Sequence, residues 1–237
     1  MHFFRINIHA NNRSPRAQRH LQQVYTHLAG TTGIASLASV LYYNGYLFEP
    51  GWITLILLIG SMLGVLFSPN RPSTQLVRHG ALYTMGFAEG WLLGPIVRST
   101  AFLDPQSLIM ALVGTVLIFG SFSMSAYYSP RRQYLYLGGL LGTVMGLMAL
   151  GSLAAVFFPG AMAQGWLTAE LYLGLLLFSF YVLYDTQVII ERTEGGQRDV
   201  PMHVVMLFTD AAAIFVRLLL ILSKDSDRSR NGRNKKK

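Results

Sequence analysis

The sequence predicts an all-α fold, a polytopic membrane helix bundle built from seven apolar segments. Of the 237 residues, 52% are hydrophobic and only 13% are charged, and the mean hydropathy is +0.39. A soluble domain carries about 25% charged residues, so the charged fraction and the long apolar runs together indicate a membrane protein. We expect a basic N-terminal tail at 1–22, the helix bundle at 23–223 and a basic C-terminal tail at 224–237.

The seven apolar segments follow one another with short polar breaks, and each break carries turn-forming residues such as Asn44-Gly45, Asp104-Pro105 or Pro159-Gly160. Helices are predicted because lipid offers no hydrogen-bond partners to an open backbone. The second segment is short and its ends are uncertain, and the last one either spans the membrane or is re-entrant. The segments are Val24–Tyr43, Trp52–Phe67, Leu76–Val97, Leu108–Tyr127, Tyr134–Phe157, Leu167–Ile190 and Met202–Leu222.

The distribution of arginine and lysine predicts the orientation in the membrane. Ten arginines fall in the N-terminal tail and in alternate connections, whereas the other connections hold Arg98 alone. The ten are Arg5, Arg13, Arg16, Arg19, Arg71, Arg78, Arg131, Arg132, Arg192 and Arg198. We therefore expect a cytosolic N-terminus.

The C-terminal tail conflicts with a simple count of spans. It holds seven basic residues from Lys224 onward, which favours a cytosolic location, but seven full spans would place it on the opposite side. The 21 residues of Met202–Leu222 are long enough to cross. On balance the charges favour a cytosolic tail.

Four of the eleven acidic residues lie inside apolar segments: Glu89, Glu170, Asp185 and Asp210. Glu170 is close to the start of its segment, where it reaches water, and is interpreted as structural. Asp185 lies six residues before Glu191, roughly 9 Å deep at ~1.5 Å per residue, and Asp210 lies nine residues after Pro201, roughly 13 Å deep. The short connection makes the two helices antiparallel neighbours, so Asp185 and Asp210 are predicted to be partners.

Two adjacent carboxyl groups in a medium of low dielectric constant do not readily ionise together, and a single proton shared between them is the favoured state. Such a pair is suited to sensing pH, to binding a cation, or to both. Acids inside a membrane are functional candidates by default. The structural alternative is that each carboxyl group is protonated or bonded to the backbone and only holds helices together.

Several stretches of the chain form a recognisable pattern. They are Gly86-Phe87, Gly90–Pro95 (GWLLGP), Gly114-Thr115 with Phe119, Arg131–Gly139 (RRQYLYLGG), Leu183–Glu191 (LYDTQVIIE) and Leu207–Asp210 (LFTD). In these stretches the chain resembles the Bax inhibitor-1 family of transmembrane Bax-inhibitor-motif proteins. The resemblance covers nearly the whole chain, and its most specific part is the Tyr-Asp-Thr-Gln block at 184–187 with a second aspartate downstream.

The resemblance implies a calcium-leak fold of seven helices whose paired aspartates sense pH, in a protein that suppresses cell death. Asp185 and Asp210 match the paired positions, so they are the expected pH sensor, ion path and transient calcium ligands. The lysine-ended tail is similar to that of the endoplasmic-reticulum member of the family, which implies that membrane. Expected partners are the lipid bilayer, calcium ions, apoptosis regulators and other membrane channels.

Four more charged residues are candidates for a latch or for the ion path. The family's arginine that latches onto the aspartates corresponds to either Arg71 or Arg78. Glu89 departs from the small or hydroxyl residue expected at its position. Arg217, seven residues after Asp210, lies on nearly the same helix face and either pairs with a carboxylate or extends to an interface.

Other functional classes are less well supported. The residues Tyr184-Asp185 and a second aspartate on the next segment resemble an intramembrane aspartyl protease, but Leu207-Phe208-Thr209 replaces the expected Gly-x-Gly. A non-conducting scaffold that regulates cell-death proteins or other calcium channels is the main alternative to a calcium leak. The chain has no cysteine, its histidines lack metal-ligand spacing, and we expect no enzyme activity, no resident cofactor and no nucleic-acid partner.

Overall fold

A computed structural model describes residues 14–130 and 132–234, and within them the elements are α-helices joined by short turns. Eight helices follow in order, with a single 3₁₀ turn at Pro72–Thr74 between the second and third. They are α1 (Pro15–Tyr43), α2 (Trp52–Phe67), α3 (Gln75–Leu92), α4 (Gly94–Leu103), α5 (Pro105–Tyr128), α6 (Leu137–Phe157), α7 (Ala161–Glu194) and α8 (Val200–Asn234). The all-α prediction is confirmed.

Four of the described helices are long and apolar enough to cross a membrane: α5, α6, α7 from Met162, and α8 as far as Lys224. The prediction of seven apolar segments is therefore met only in part. Helix α2 has 16 residues, about 24 Å of helix, against a hydrocarbon core of about 30 Å. Large apolar side chains cover the outside of the bundle, among them Ile56, Val116 and Leu150 at 70%, 71% and 65% exposure, as expected for a surface that faces lipid.

The third predicted segment, Leu76–Val97, is wrong as a single helix. Helix α3 ends at Leu92, and a separate helix α4 begins at Gly94 with proline at its start. Pro95 has no backbone N–H, and its ring crowds the carbonyl of Trp91 one turn earlier, so a continuous helix is interrupted there. Apolar composition does not indicate this break, because Leu93 at the break is as hydrophobic as the helices.

Both predicted tails are partly helical. Ser14 accepts a hydrogen bond from the Ala17 N–H at 3.2 Å, so α1 begins at Pro15, within the predicted tail 1–22. Helix α8 continues without a break to Asn234 and so includes most of the predicted tail 224–237. Residues 1–13, Arg131 and residues 235–237 lie outside the described residues, and the side of the membrane on which each tail lies stays a prediction.

Helix α8 occupies the middle of the bundle. It packs against α1, α5 and α7, with smaller contacts to α2 and α3, while α2 packs on α3 and α6 packs on α7. A cluster of buried apolar side chains from α1, α2, α3, α7 and α8, including Leu82, Ile189 and Leu207, fills the end of the bundle that carries the α7–α8 connection. We call this the α7–α8 loop end. The side chains of α8 are thus held from several sides.

Helices α1 and α3 are in close contact at Gly90. A methyl group at this position would overlap the backbone carbonyl of Ala35, and the Ser39 hydroxyl donates to the Gly90 carbonyl at 2.6 Å. This contact needs a residue without a side chain, as is common where membrane helices meet.

Replacing Gly90 with alanine should therefore lower thermal stability, because α1 and α3 must move apart at a cost of about 1–3 kcal/mol. Gly80 on the same helix is the matched control, since a methyl group at that position would meet nothing within 4 Å. Gly80→Ala should leave the melting temperature unchanged or raise it, because alanine favours helix by about 1 kcal/mol. The purified variants are compared by thermal unfolding, and equal melting temperatures would contradict the close approach.

Candidate functional site

The predicted partners Asp185 and Asp210 lie side by side in the contact between α7 and α8. The exposed fractions of the two residues are 7% and 4%. Their carboxyl groups are within hydrogen-bonding reach of each other. The matching depths inferred from the sequence are therefore realised in three dimensions, and we call these two residues the aspartate pair.

One oxygen of the aspartate pair lacks a hydrogen-bond donor in the part of the chain that the structure describes. Oδ2 of Asp210 is buried and receives no hydrogen bond from any group in the described residues. A buried carboxylate oxygen without a donor is costly. A hydrogen bond between two carboxyl groups requires a proton on one of them, so the geometry suits a pair that holds one proton between two carboxyl groups.

The residues around Asp185 fix the orientation of α7 on three other sides. Tyr184 packs into the apolar cluster between α6 and α7, and Thr186 lies 3.3 Å from the Ser123 hydroxyl of α5. Gln187 accepts from the Tyr134 N–H at 2.8 Å and donates to the Pro130 carbonyl at 3.1 Å, which ties down the α5–α6 connection. The four-residue motif thus turns Asp185 toward α8 by anchoring the neighbouring faces of α7.

Similarity to known proteins identifies the family of the chain. The family model described as inhibitor of apoptosis-promoting Bax1 matches residues 17–227 of the chain. The chain belongs to the Bax inhibitor 1 family. Bax inhibitor 1 of mouse (Mus musculus) is 37% identical over 211 residues, covering 89% of this chain and 87% of the mouse protein. The same-named proteins of Drosophila melanogaster and of rice (Oryza sativa subsp. japonica) are 34% and 36% identical over 223 and 225 residues, covering 94% of this chain and 89% and 88% of theirs.

Neither arginine expected as a latch contacts the aspartate pair in this Bax inhibitor 1 family member. Arg71 is exposed at the 3₁₀ turn. Arg78 is buried, with 2% of its side chain exposed, and its Nη2 donates to Asp199 Oδ1 at 2.9 Å, to Asp199 Oδ2 at 2.7 Å and to the Val65 carbonyl at 3.1 Å. Arg78 therefore joins α2 and α3 to the start of α8.

The sequence interpretation missed Asp199, which has two roles in this contact. Besides neutralising Arg78, its Oδ1 accepts from the Met202 N–H at 3.2 Å and so caps the start of α8. An aspartate directly before Val200-Pro201 is a recognisable helix-start signal. That signal identifies the cap, whereas the pairing with Arg78 depends on how α3 packs against the start of α8.

Arg217 pairs with Glu170 of α7, at 3.9 Å between Nη2 and Oε1, and not with the aspartate pair. Since α7 and α8 are antiparallel, seven residues onward from Asp210 leads to the level of Phe178, and the guanidinium lies 4.5 Å from the centre of that ring. The side chain passes Gly174, where a methyl group would overlap it. Of the two roles left open for Arg217, the structure shows the contact with a carboxylate, that of Glu170.

A buried histidine pair joins α1 to α8 near the loop end. His20 Nε2 and His203 Nδ1 are 2.8 Å apart, and both side chains are buried. Burial, followed by the charge of Arg198, lowers the pKa of His20 below its usual range, which favours the neutral ring at neutral pH. His79 instead lies against its own helix, with Nδ1 2.8 Å from the Gln75 carbonyl oxygen.

Removing the charge of Asp199 should destabilise the protein, because Arg78 would remain buried without an anion. Asp199→Asn keeps a capping side chain and isolates the lost ion pair, at a cost of about 2–4 kcal/mol. Asp199→Ala also loses the cap, for about 1 kcal/mol more. The measurement is thermal unfolding of the purified variants.

The control is Glu191→Gln on α7, which removes an ion pair with the exposed Arg132 of the α5–α6 connection and should change stability little. If Asp199→Asn behaves like this control, then the buried ion pair does not hold α8 in place.

Proposed function

We propose that this Bax inhibitor 1 family protein is a pH-sensitive calcium leak channel of the endoplasmic reticulum membrane, which lowers stored calcium and suppresses apoptosis. The single observation that carries the proposal is the buried contact between Asp185 and Asp210, which combines a proton site with cation-binding oxygens in the middle of the bundle. Similarity to proteins named Bax inhibitor 1 supports the cell-death role. The lysine-rich tail supports the membrane assignment.

The aspartate pair closes the path while it holds a proton. In this state α7 and α8 are joined by a carboxyl–carboxyl hydrogen bond and no net repulsion separates them. When the pH rises and the proton leaves, two negative charges in contact repel each other in a medium that screens poorly. Helices α7 and α8 then separate at this level, so calcium flux increases with pH.

Calcium is suited to the opened pair because it is a hard cation that prefers oxygen ligands. Two carboxylates provide at most four oxygens, whereas a stable site uses about six to eight. Within the described residues there is no group of three or more histidine, aspartate or glutamate side chains that could hold a metal ion. The aspartate pair is thus a waypoint for an ion that moves down its gradient into the cytosol.

In this proposal the chain crosses the membrane with its N-terminus in the cytosol. The α7–α8 loop end then faces the cytosol with Arg192 and Arg198, and the ion pair of Arg78 with Asp199 fixes the start of α8 at that side. Calcium would pass from the lumen along the bundle to the aspartate pair. Lower stored calcium weakens calcium-dependent death signals, which connects the leak to the suppression of apoptosis.

Calcium efflux from proteoliposomes tests the proposal. Asp210→Asn preserves shape and removes the charge, so it should lower the flux about tenfold or more, equivalent to about 1.4 kcal/mol, and should flatten its rise with pH. Asp185→Asn should alter the same pH response, because the two groups titrate together. The double variant should show the same calcium flux as Asp210→Asn alone, because the two aspartates act together and losing one already disrupts the pair.

Glu191→Gln is the control, because it removes a carboxylate from the same helix without touching the aspartate pair. It should keep the wild-type flux and pH response. If both single aspartate variants leak like the wild type at every pH, the aspartates are structural. The non-conducting scaffold that regulates cell-death proteins or other channels then replaces the calcium leak, and cell-death assays with the same variants should show unchanged protection.

A further inference from the structure

A cavity of about 430 Å³ lies between α1, α3, α4, α5 and α8, on the side of α8 away from the aspartate pair. Its wall is almost entirely apolar and includes Leu112, Val116 and Phe215. Half or more of the side-chain surface of Leu112 and Val116 is exposed on the outside of the bundle, so the cavity opens sideways toward the lipid. Its volume suits a small amphiphile rather than a macromolecule.

The serine and threonine hydroxyls in the wall can only accept hydrogen bonds from an occupant. Each already donates its proton to a backbone carbonyl: Thr32 to Leu28 at 2.9 Å, Ser36 to Thr32 at 2.9 Å, Ser39 to Gly90 at 2.6 Å and Thr115 to Ala111 at 2.7 Å. The oxygen lone pairs remain available toward the cavity. The wall therefore favours an occupant that brings donors of its own.

Glu89 contributes the acidic group of this cavity. It is only partly exposed, and no ion pair or hydrogen bond to its carboxyl group is found in the described stretches 14–130 and 132–234. An ionised carboxylate in apolar surroundings is costly without a counter-charge. The buried arginines do not supply it, since Arg78 binds Asp199 and Arg217 binds Glu170.

We propose that this cavity binds an amphiphilic amine from the bilayer, with the ammonium group on Glu89 and the apolar chain along α5 and α8. An ammonium group supplies a positive charge and three hydrogen-bond donors, which match the carboxylate and the accepting hydroxyls. The half-exposed ring of Tyr43, stacked on Phe102, is a further neighbour suited to a cation. A hydrated metal ion fits less well, because the apolar wall cannot replace its water.

The occupant would contact the same helix that carries the aspartate pair. Phe208, Ala211 and Ala212 of α8 line the cavity, while Asp210 between them faces α7. Helix α8 is thus the wall between the cavity and the aspartate pair.

Binding of radiolabelled dodecylamine to the full-length protein in nanodiscs of zwitterionic lipid tests the proposal. Unlabelled dodecylamine should compete, whereas dodecanol and dodecanoate, which lack the positive charge, should compete at least about tenfold more weakly. Glu89→Gln should weaken binding about tenfold or more. Glu191→Gln, which removes an acid outside the cavity, should bind like the wild type.

A second variant, Ala212→Leu, fills part of the cavity without changing the charge and should also weaken binding of the amine. Thermal unfolding checks that each variant is folded. Equal competition by dodecanol, or unchanged binding by both Glu89→Gln and Ala212→Leu, would overturn the proposal and leave a groove filled by lipid chains. Calcium binding that requires Glu89, combined with no saturable binding of dodecylamine, would also overturn the proposal and would identify a cation path.

Discussion

Neutralisation of charge inside the bundle is the constraint on which the arrangement of helices depends. The buried Arg78 pairs with Asp199, and the partly buried Arg217 pairs with Glu170. Three further acids inside the bundle have no ion pair among the described residues. Asp185 and Asp210 lie against each other, which a shared proton resolves, and Glu89 faces a cavity. The first two ion pairs thus hold helices together, and the remaining acids are where a proton or a ligand acts.

The position of α8 connects these sites. Asp199 caps the start of α8. The middle of the helix carries Asp210 on one face and lines the cavity with another. Nearer its C-terminal end, the ion pair of Arg217 with Glu170 joins it to α7. A change in protonation at Asp210 acts on a helix that is held by one ion pair before Asp210 in the chain and by another after it. Movement is therefore expected at the level of the aspartate pair, between the two ion pairs, rather than by release of the whole helix.

The sequence was sufficient for the helical class, the family resemblance and the contact between Asp185 and Asp210, because depth along two antiparallel helices follows directly from residue number. It was not sufficient for the partners of the arginines. The path of Arg217 past Gly174 to Glu170 depends on a missing side chain on the neighbouring helix, and the pairing of Arg78 with Asp199 depends on how α3 packs on α8. The sequence analysis did not predict the break at Leu93, because apolar composition carries no information about the backbone geometry that Pro95 imposes.

The proton held by the aspartate pair is most directly measured by infrared spectroscopy of protein in which only aspartate carries a ¹³C-labelled carboxyl group. Of the six aspartates, the account predicts that one carboxyl group is protonated at neutral pH. Its C=O stretching band should fade as the pH rises and should be absent from the Asp185→Asn/Asp210→Asn double variant. A wild-type protein without a protonated aspartate band at neutral pH, or a double variant that retains the band, would contradict the shared proton.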